Sequence, residues 1–249
     1  TATATVNAST GVVTGVAAGS TTITYTVTTN GCSTSVTTTV TVNAIPVVAA
    51  ISGTTEVCAG STTSLTSATT GGTWSSSNTA VATVNASTGV VTGVAAGSAT
   101  ITYTVTTNGC TSNAQATVTV NALPVLASIG GTASTCVGST TTLTNTTSGG
   151  VWTSSATAVA TVNTITGTVT GVSAGTSTIT YTYTNSNGCV SSVTTTVTIN
   201  ALPTVAAITG TTSVCEGATT ALADVTSGGV WTSSNTATAT VNASTGLVT

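Results

Sequence analysis

Gly72-Thr73-Trp74-Ser75-Ser76-Ser77-Asn78-Thr79-Ala80-Val81-Ala82-Thr83-Val84, followed by Thr88-Gly89-Val90-Val91-Thr92-Gly93-Val94-Ala95-Ala96-Gly97-Ser98-Ala99-Thr100-Ile101, reads as a series of short strands punctuated by turns. Val81 to Val84 and Val90 to Val94 are rich in β-branched residues, which favour pleated strands. Asn85-Ala86-Ser87-Thr88-Gly89 between them is a turn. Further on, Ile101, Tyr103 and Val105 alternate with Thr, the period-two mark of a half-buried strand. Asn108-Gly109 is a strong hairpin signal, because both positions tolerate positive φ. The return strand carries Ala116, Val118 and Val120. Upstream, Pro46 to Ile51 is predicted as a first strand, Ser61 to Ser67 as a second and Gly71 to Ser76 as a third. Trp74 is the largest apolar body available to the core.

The same stretch returns. Trp74, Trp152 and Trp231 recur about 78 residues apart, as do Pro46, Pro124 and Pro203, with Cys32, Cys110 and Cys189, and Cys58, Cys136 and Cys215, in the same step. The third hairpin gains one residue, where Tyr183-Thr184-Asn185-Ser186-Asn187-Gly188 replaces Val105-Thr106-Thr107-Asn108-Gly109. One period suits one small β-sandwich of about seven strands. Boundaries fall at Asn43 to Pro46, Asn121 to Pro124 and Asn200 to Pro203, where Pro lacks the N–H a ladder needs. The expected organisation is a C-terminal part of an Ig-like repeat at 1–44, complete repeats at 45–122 and 123–201, and an N-terminal part at 202–249. The fold class is therefore all-β, with tandem immunoglobulin-like sandwiches forming a rod or filament. The short linkers contain no Gly/Ser-rich spacer, which favours stiffness.

Residues 1–14 reappear at 236–249 with only Val12 changed, to Leu247. The expectation is a stretch of a longer array, with any targeting signal elsewhere. The alternative is that 202–249 is completed by the 1–44 half of an identical chain, giving a head-to-tail fibre.

Composition removes most chemistry. The 249 residues include no Lys, Arg, His, Met or Phe, and Glu56, Glu216 and Asp224 are the only acids. An ordinary domain is about one quarter charged. Without His or Lys, a Ser or Cys nucleophile has no conventional base. No zinc, iron or calcium cage is expected, nor any cofactor or isopeptide cross-link. Nucleic acid and anionic membranes find no cation to pair with. No run of about 18 apolar residues offers a membrane span. No enzyme is expected, and stability should vary little between pH 5 and 9.

The quoted elements W-x-S-S-N, V-A-T-V, G-x-V-T-G-V and A-G-x-A-x-I resemble those of the bacterial Ig-like group 2 family, and the match extends over every copy. Val57-Cys58-Ala59-Gly60 and Asn108-Gly109-Cys110 resemble versions in long surface proteins of Bacteroidota-type bacteria. The resemblance implies an extracellular, non-catalytic module that spaces or presents adhesive tips, as in intimin-like proteins. Its partners would be neighbouring repeats and identical chains. Any cell-surface or glycan ligand would be taken by domains outside these residues. The near-absence of charge departs from the family and leaves charge-mediated binding without support.

Six cysteines at a fixed repeat phase point to disulfides and an oxidising compartment. Two connectivities stand open. The default joins Cys58 to Cys110 and Cys136 to Cys189 within a copy. Against it, an Ig topology sets these residues at opposite ends of the domain. A ten-residue strand spans roughly 33 Å, whereas bridged Cα atoms lie about 5.5 Å apart. The second scheme clasps neighbouring copies, Cys58 to Cys189.

The leading expected function is a stalk or filament segment on a bacterial surface. The rival is ligand binding: ice on the Thr arrays at 21–28 and 37–42, or glycan on exposed Trp74, Trp152 and Trp231. Core placement of the three Trp is the plainer expectation. Asn7, Asn85, Asn145 and Asn242 fit the N-glycosylation pattern.

Overall fold

Threonine and valine at alternating positions can hold a pleated sheet with one dry and one wet face, as they do along residues 97–107 and 175–184. A computed structural model describes residues 2–249. Thr1, the first residue of the partial repeat 1–44, lies outside the described residues. The described residues contain strands and no α-helix. They divide into two compact units, 2–126 with Thr182–Ser192, and Ala127–Tyr181 with Val193–Thr249.

In the first unit, β1 (Ala4–Val6) pairs with β2 (Val13–Gly15), and β3 (Gly19–Thr29) forms a long hairpin with β4 (Cys32–Val42). Then follow β5 (Ile51–Gly53), β6 (Glu56–Cys58), β7 (Thr62–Ser67), β8 (Thr73–Ser76), β9 (Ala82–Val84), β10 (Val90–Gly93), β11 (Gly97–Thr107) and β12 (Cys110–Asn121). These make a sandwich of two four-stranded sheets, β5-β7-β10-β9 and β6-β12-β11-β8. Leu65, Val91, Ile101 and Val118 are fully buried between them. Tyr103 and Val105 continue the inward row begun by Ile101.

The second unit repeats the pattern. Its strands are β13 (Gly130–Gly131), β14 (Ser134–Cys136), β15 (Thr140–Thr144), β16 (Val151–Ser154), β17 (Ala160–Val162), β18 (Thr168–Gly171), β19 (Gly175–Thr184) and β20 (Val190–Asn200), the last two extending into residues 182–192 of the first unit. They form sheets β13-β15-β18-β17 and β14-β20-β19-β16 around Leu143, Val169, Ile179 and Val197. The chain closes with one sheet of β21 (Thr209–Gly210), β22 (Thr220–Ala223) and β23 (Leu247–Val248).

One expectation needs correction. The first strand does not run from Pro46 to Ile51: only Ile51 joins a sheet. Pro46 has no N–H to donate, and the Ala49 N–H is taken by the Thr69 hydroxyl at 2.9 Å. The segment Glu56–Cys58, to which the sequence reading gave no strand, is also a strand. At Gly53 (φ 123°) the chain leaves one sheet, and β6 enters the other parallel to β12, with Val57 opposite Val120. Backbone groups of residues 56–58 thereby find partners that a turn would leave to solvent.

The hairpin tips follow the residue chemistry. Asn108 and Gly109 adopt φ of 48° and 79°, the geometry of a tight two-residue turn between twisted strands. The Asn85 carboxamide oxygen accepts the N–H groups of Ser87 and Thr88, closing the turn between β9 and β10.

Candidate functional site

Cysteine and asparagine side chains meet where the tips of the long hairpins approach the Asn-Ala-Ile/Leu-Pro segments. Cys58 is bonded to Cys189, with Cα atoms 5.6 Å apart and 131 residues between them in sequence. The within-copy pairs Cys58–Cys110 and Cys136–Cys189 are thus not formed. The reason is geometric: Cys58 pairs with Asn121 at the end of β12, whereas Cys110 begins that strand eleven positions earlier. Cys189 is fully buried.

Around the bond, the hairpin tip docks on the end of β12. The Asn185 amide donates to the Ala122 carbonyl at 3.2 Å and the Asn187 amide to the Asn121 carboxamide oxygen at 3.2 Å. The Cys189 sulfur lies 3.9 Å from the Asn121 carbonyl oxygen. The residue gained in the third hairpin therefore supplies a contact, because Asn187 belongs to the enlarged turn. The Asn185 carboxamide holds that turn by accepting the N–H groups of Asn187 and Cys189. A recess of about 340 Å³ beside the bond is lined by Glu56, Cys58, Thr62, Asn121 and Asn187, among others.

One repeat earlier the same docking recurs. The Asn43 amide donates to the Asn108 carbonyl at 2.9 Å, and the Cys110 thiol lies 3.7 Å from the Asn43 carbonyl oxygen. Cys110 thus holds the position that Cys189 holds, without a bonded partner. Cys32, Cys110, Cys136 and Cys215 are free thiols, and Cys32, Cys136 and Cys215 are exposed. The role of the two linker asparagines escaped the sequence reading. Their recurrence just before each Pro was the available signal.

The tryptophans occupy two kinds of place. Trp74 and Trp152 are 7% and 3% exposed and offer no ring face to a sugar, which removes them from the glycan reading. Trp74 packs on Tyr103, its cross-strand partner, with ring centroids 4.5 Å apart. Trp152 and Tyr181 repeat this at 4.6 Å. The Tyr103 hydroxyl donates to the Thr69 carbonyl at 2.9 Å and accepts the Gly72 N–H at 2.8 Å. Tyr181 makes the same two bonds, to the Thr147 carbonyl and from the Gly150 N–H. Gly72 is required by this approach, since a Cβ there would stand 2.6 Å from the Tyr103 ring. Trp231, at the same repeat phase, is half-buried.

No cluster of three or more potential metal ligands occurs among the described residues, and no helix there is long and apolar enough to cross a membrane.

Residues 34–120 match the family model described as Bacterial Ig-like domain (group 2). A search of curated proteins finds no match. Solved structures similar to the chain include domains 4 and 5 of the S-layer protein SbsC, 23% identical, covering 63% of this chain and 99% of that one with a TM-score of 0.26. A SusE-like surface-located polysaccharide-binding protein of Bacteroides thetaiotaomicron is 15% identical, with 80% and 41% covered and a TM-score of 0.39. The C-terminal fragment of intimin, solved with the intimin-binding domain of its translocated receptor, is 14% identical, with 66% and 67% covered and a TM-score of 0.34.

Proposed function

We propose that the chain is a non-catalytic stalk segment of an extracellular bacterial surface protein, in which each Ig-like repeat is locked to the next. The modules would be 45–122 and 123–201, with partial modules at 1–44 and 202–249. The observation that carries this reading is the clasp: the Cys58–Cys189 bond with the Asn121, Asn185 and Asn187 contacts around it. A disulfide resists swivelling at a linker in a way that hydrogen bonds alone do not. Disulfides persist in oxidising surroundings, which fits a location outside the cell. A chain with no Lys, Arg or His has no cationic side chain to hold a phosphate and no trypsin cleavage site. Its partners are the adjoining repeats, and any adhesive ligand belongs to domains beyond these residues.

Electron cryo-microscopy of the protein purified without reductant tests the proposal. The expected image is a thin filament with one globule per roughly 35–45 Å, the length of a sandwich strand with its loops. A repeat near 4.8 Å would mean cross-β stacking, and globules at irregular spacing would mean a flexible tether; either overturns the reading.

Ligand binding by threonine stands second, because Thr22 faces Thr39 and Thr24 faces Thr37 as exposed cross-strand pairs. Twist works against a flat lattice over such strands. An ice-recrystallisation assay without effect disposes of it.

A further inference from the structure

The Cys58–Cys189 bond closes a loop that holds most of the core. Among the described residues, every buried hydrophobic side chain except Val57, Cys189, Val197 and Ile199 lies between the two cysteines. Strands β7 to β12 and β13 to β19 all fall inside the loop. Outside it, the sandwich at 45–122 contributes only strands β5 and β6, and the sandwich at 123–201 only β20.

Strand register at the bond decides how a pull along the chain is carried. β6 runs parallel to β12 with Cys58 opposite Asn121, so both strands leave the sandwich at the same end. Two covalent connections therefore depart side by side, the backbone beyond Asn121 and the disulfide from Cys58. Through the backbone alone, a pull ahead of β6 draws that strand toward its N-terminus. A pull beyond Asn121 draws β12 toward its C-terminus. Parallel strands drawn in opposite directions slide past each other. What resists is a ladder of three residue pairs, flanked by the Thr119 N–H on the Thr55 carbonyl and the Ala59 N–H on the Asn121 carbonyl. Each such bond exchanges for one to water at little net cost.

The disulfide offers another path. Cys58 is the last residue of β6, so the pull leaves through its sulfur without crossing the ladder. It re-enters the backbone at Cys189, immediately before β20 (Val190–Asn200). A strand rising roughly 3.3 Å per residue is already close to the full reach of its backbone. The line from β6 through the bond into β20 thus has almost no slack to give. Residues 59–188 hang beside it.

We propose that the Cys58–Cys189 bond is a tensile bypass, carrying load past both sandwich cores so that neither unfolds when the chain is pulled. Its purpose rests on the stalk reading, since only a chain under tension needs such a line. The load path rests on the register and the bond alone.

Single-molecule force spectroscopy tests this on the full 249-residue chain, held by peptide tags fused to its two ends. The oxidised chain is held at constant force, in repeats at increasing force, and dithiothreitol is then admitted. Its two thiols break the S–S bond by exchange, leaving Cys58 and Cys189 as thiols and closing dithiothreitol to a cyclic disulfide. Release of the 131 positions adds roughly 430–470 Å once they are fully extended. The expected gain comes in separate steps, because sandwiches still folded at the moment of reduction then unfold one after the other. A single jump of the whole length would show that both cores had already opened behind the bond. No lengthening at any force, with alkylation showing both cysteines reduced, would show that the three-pair ladder bears the load unaided. Either result overturns the proposal. Failure here leaves the regular globule spacing expected of a stalk untouched, whereas irregular spacing would remove the stalk and leave the load path measurable.

Discussion

Tyr103→Phe isolates one buried hydroxyl. In the wild-type chain that hydroxyl donates to the Thr69 carbonyl and accepts the Gly72 N–H, at 2.9 and 2.8 Å. The phenylalanine ring fills the same space, so the loss is polar alone. Each lost bond contributes about 1 kcal/mol net, and leaving a buried partner unsatisfied costs roughly 1–3 kcal/mol. Together the expected destabilisation is roughly 2–3 kcal/mol. For a domain of this size each kcal/mol moves Tm by about 4–8 °C, which gives a fall of roughly 10–20 °C for that sandwich. Hydrogen-exchange mass spectrometry of peptides covering 69–76 and 97–107 in graded urea reads this sandwich without interference from the other. Tyr25→Phe is the internal control, since Tyr25 is exposed and makes no hydrogen bond among the described residues. Its change should stay within about 0.5 kcal/mol. Equal small effects from both substitutions would show that water replaces the Tyr103 bonds at no cost, and would refute the reasoning.

Gly72→Ala should destabilise its sandwich by about 1–3 kcal/mol, since the new methyl meets the Tyr103 ring at 2.6 Å and the Thr104 carbonyl oxygen at 2.6 Å. Thermal melts of the wild-type and variant chains measure the loss. Cys58→Ser should abolish the effect of reductant on stability. For a closed loop of 131 residues the chain-entropy model sets that effect at up to about 5 kcal/mol for complete unfolding. Urea midpoints with and without dithiothreitol measure it, and a reductant effect persisting in the variant would place the stabilising bond elsewhere.

Much of the sandwich was legible because its signals are local. The alternation at Ile101, Tyr103 and Val105 puts these side chains on one face whatever lies opposite, and all three are buried. Asn108-Gly109 encodes its own turn. Strand β6 was not legible, because its three residues become a strand only by pairing with Thr119, Val120 and Asn121, more than sixty positions on.

What the sequence determines by itself is the all-β class, the phase of the repeat and the chemistry that is missing, since each follows from residue types and short spacings. Only the tertiary structure decides which cysteine reaches Cys58, and that Trp74 is sealed against the ring of Tyr103. Both depend on which backbone segment comes to lie alongside.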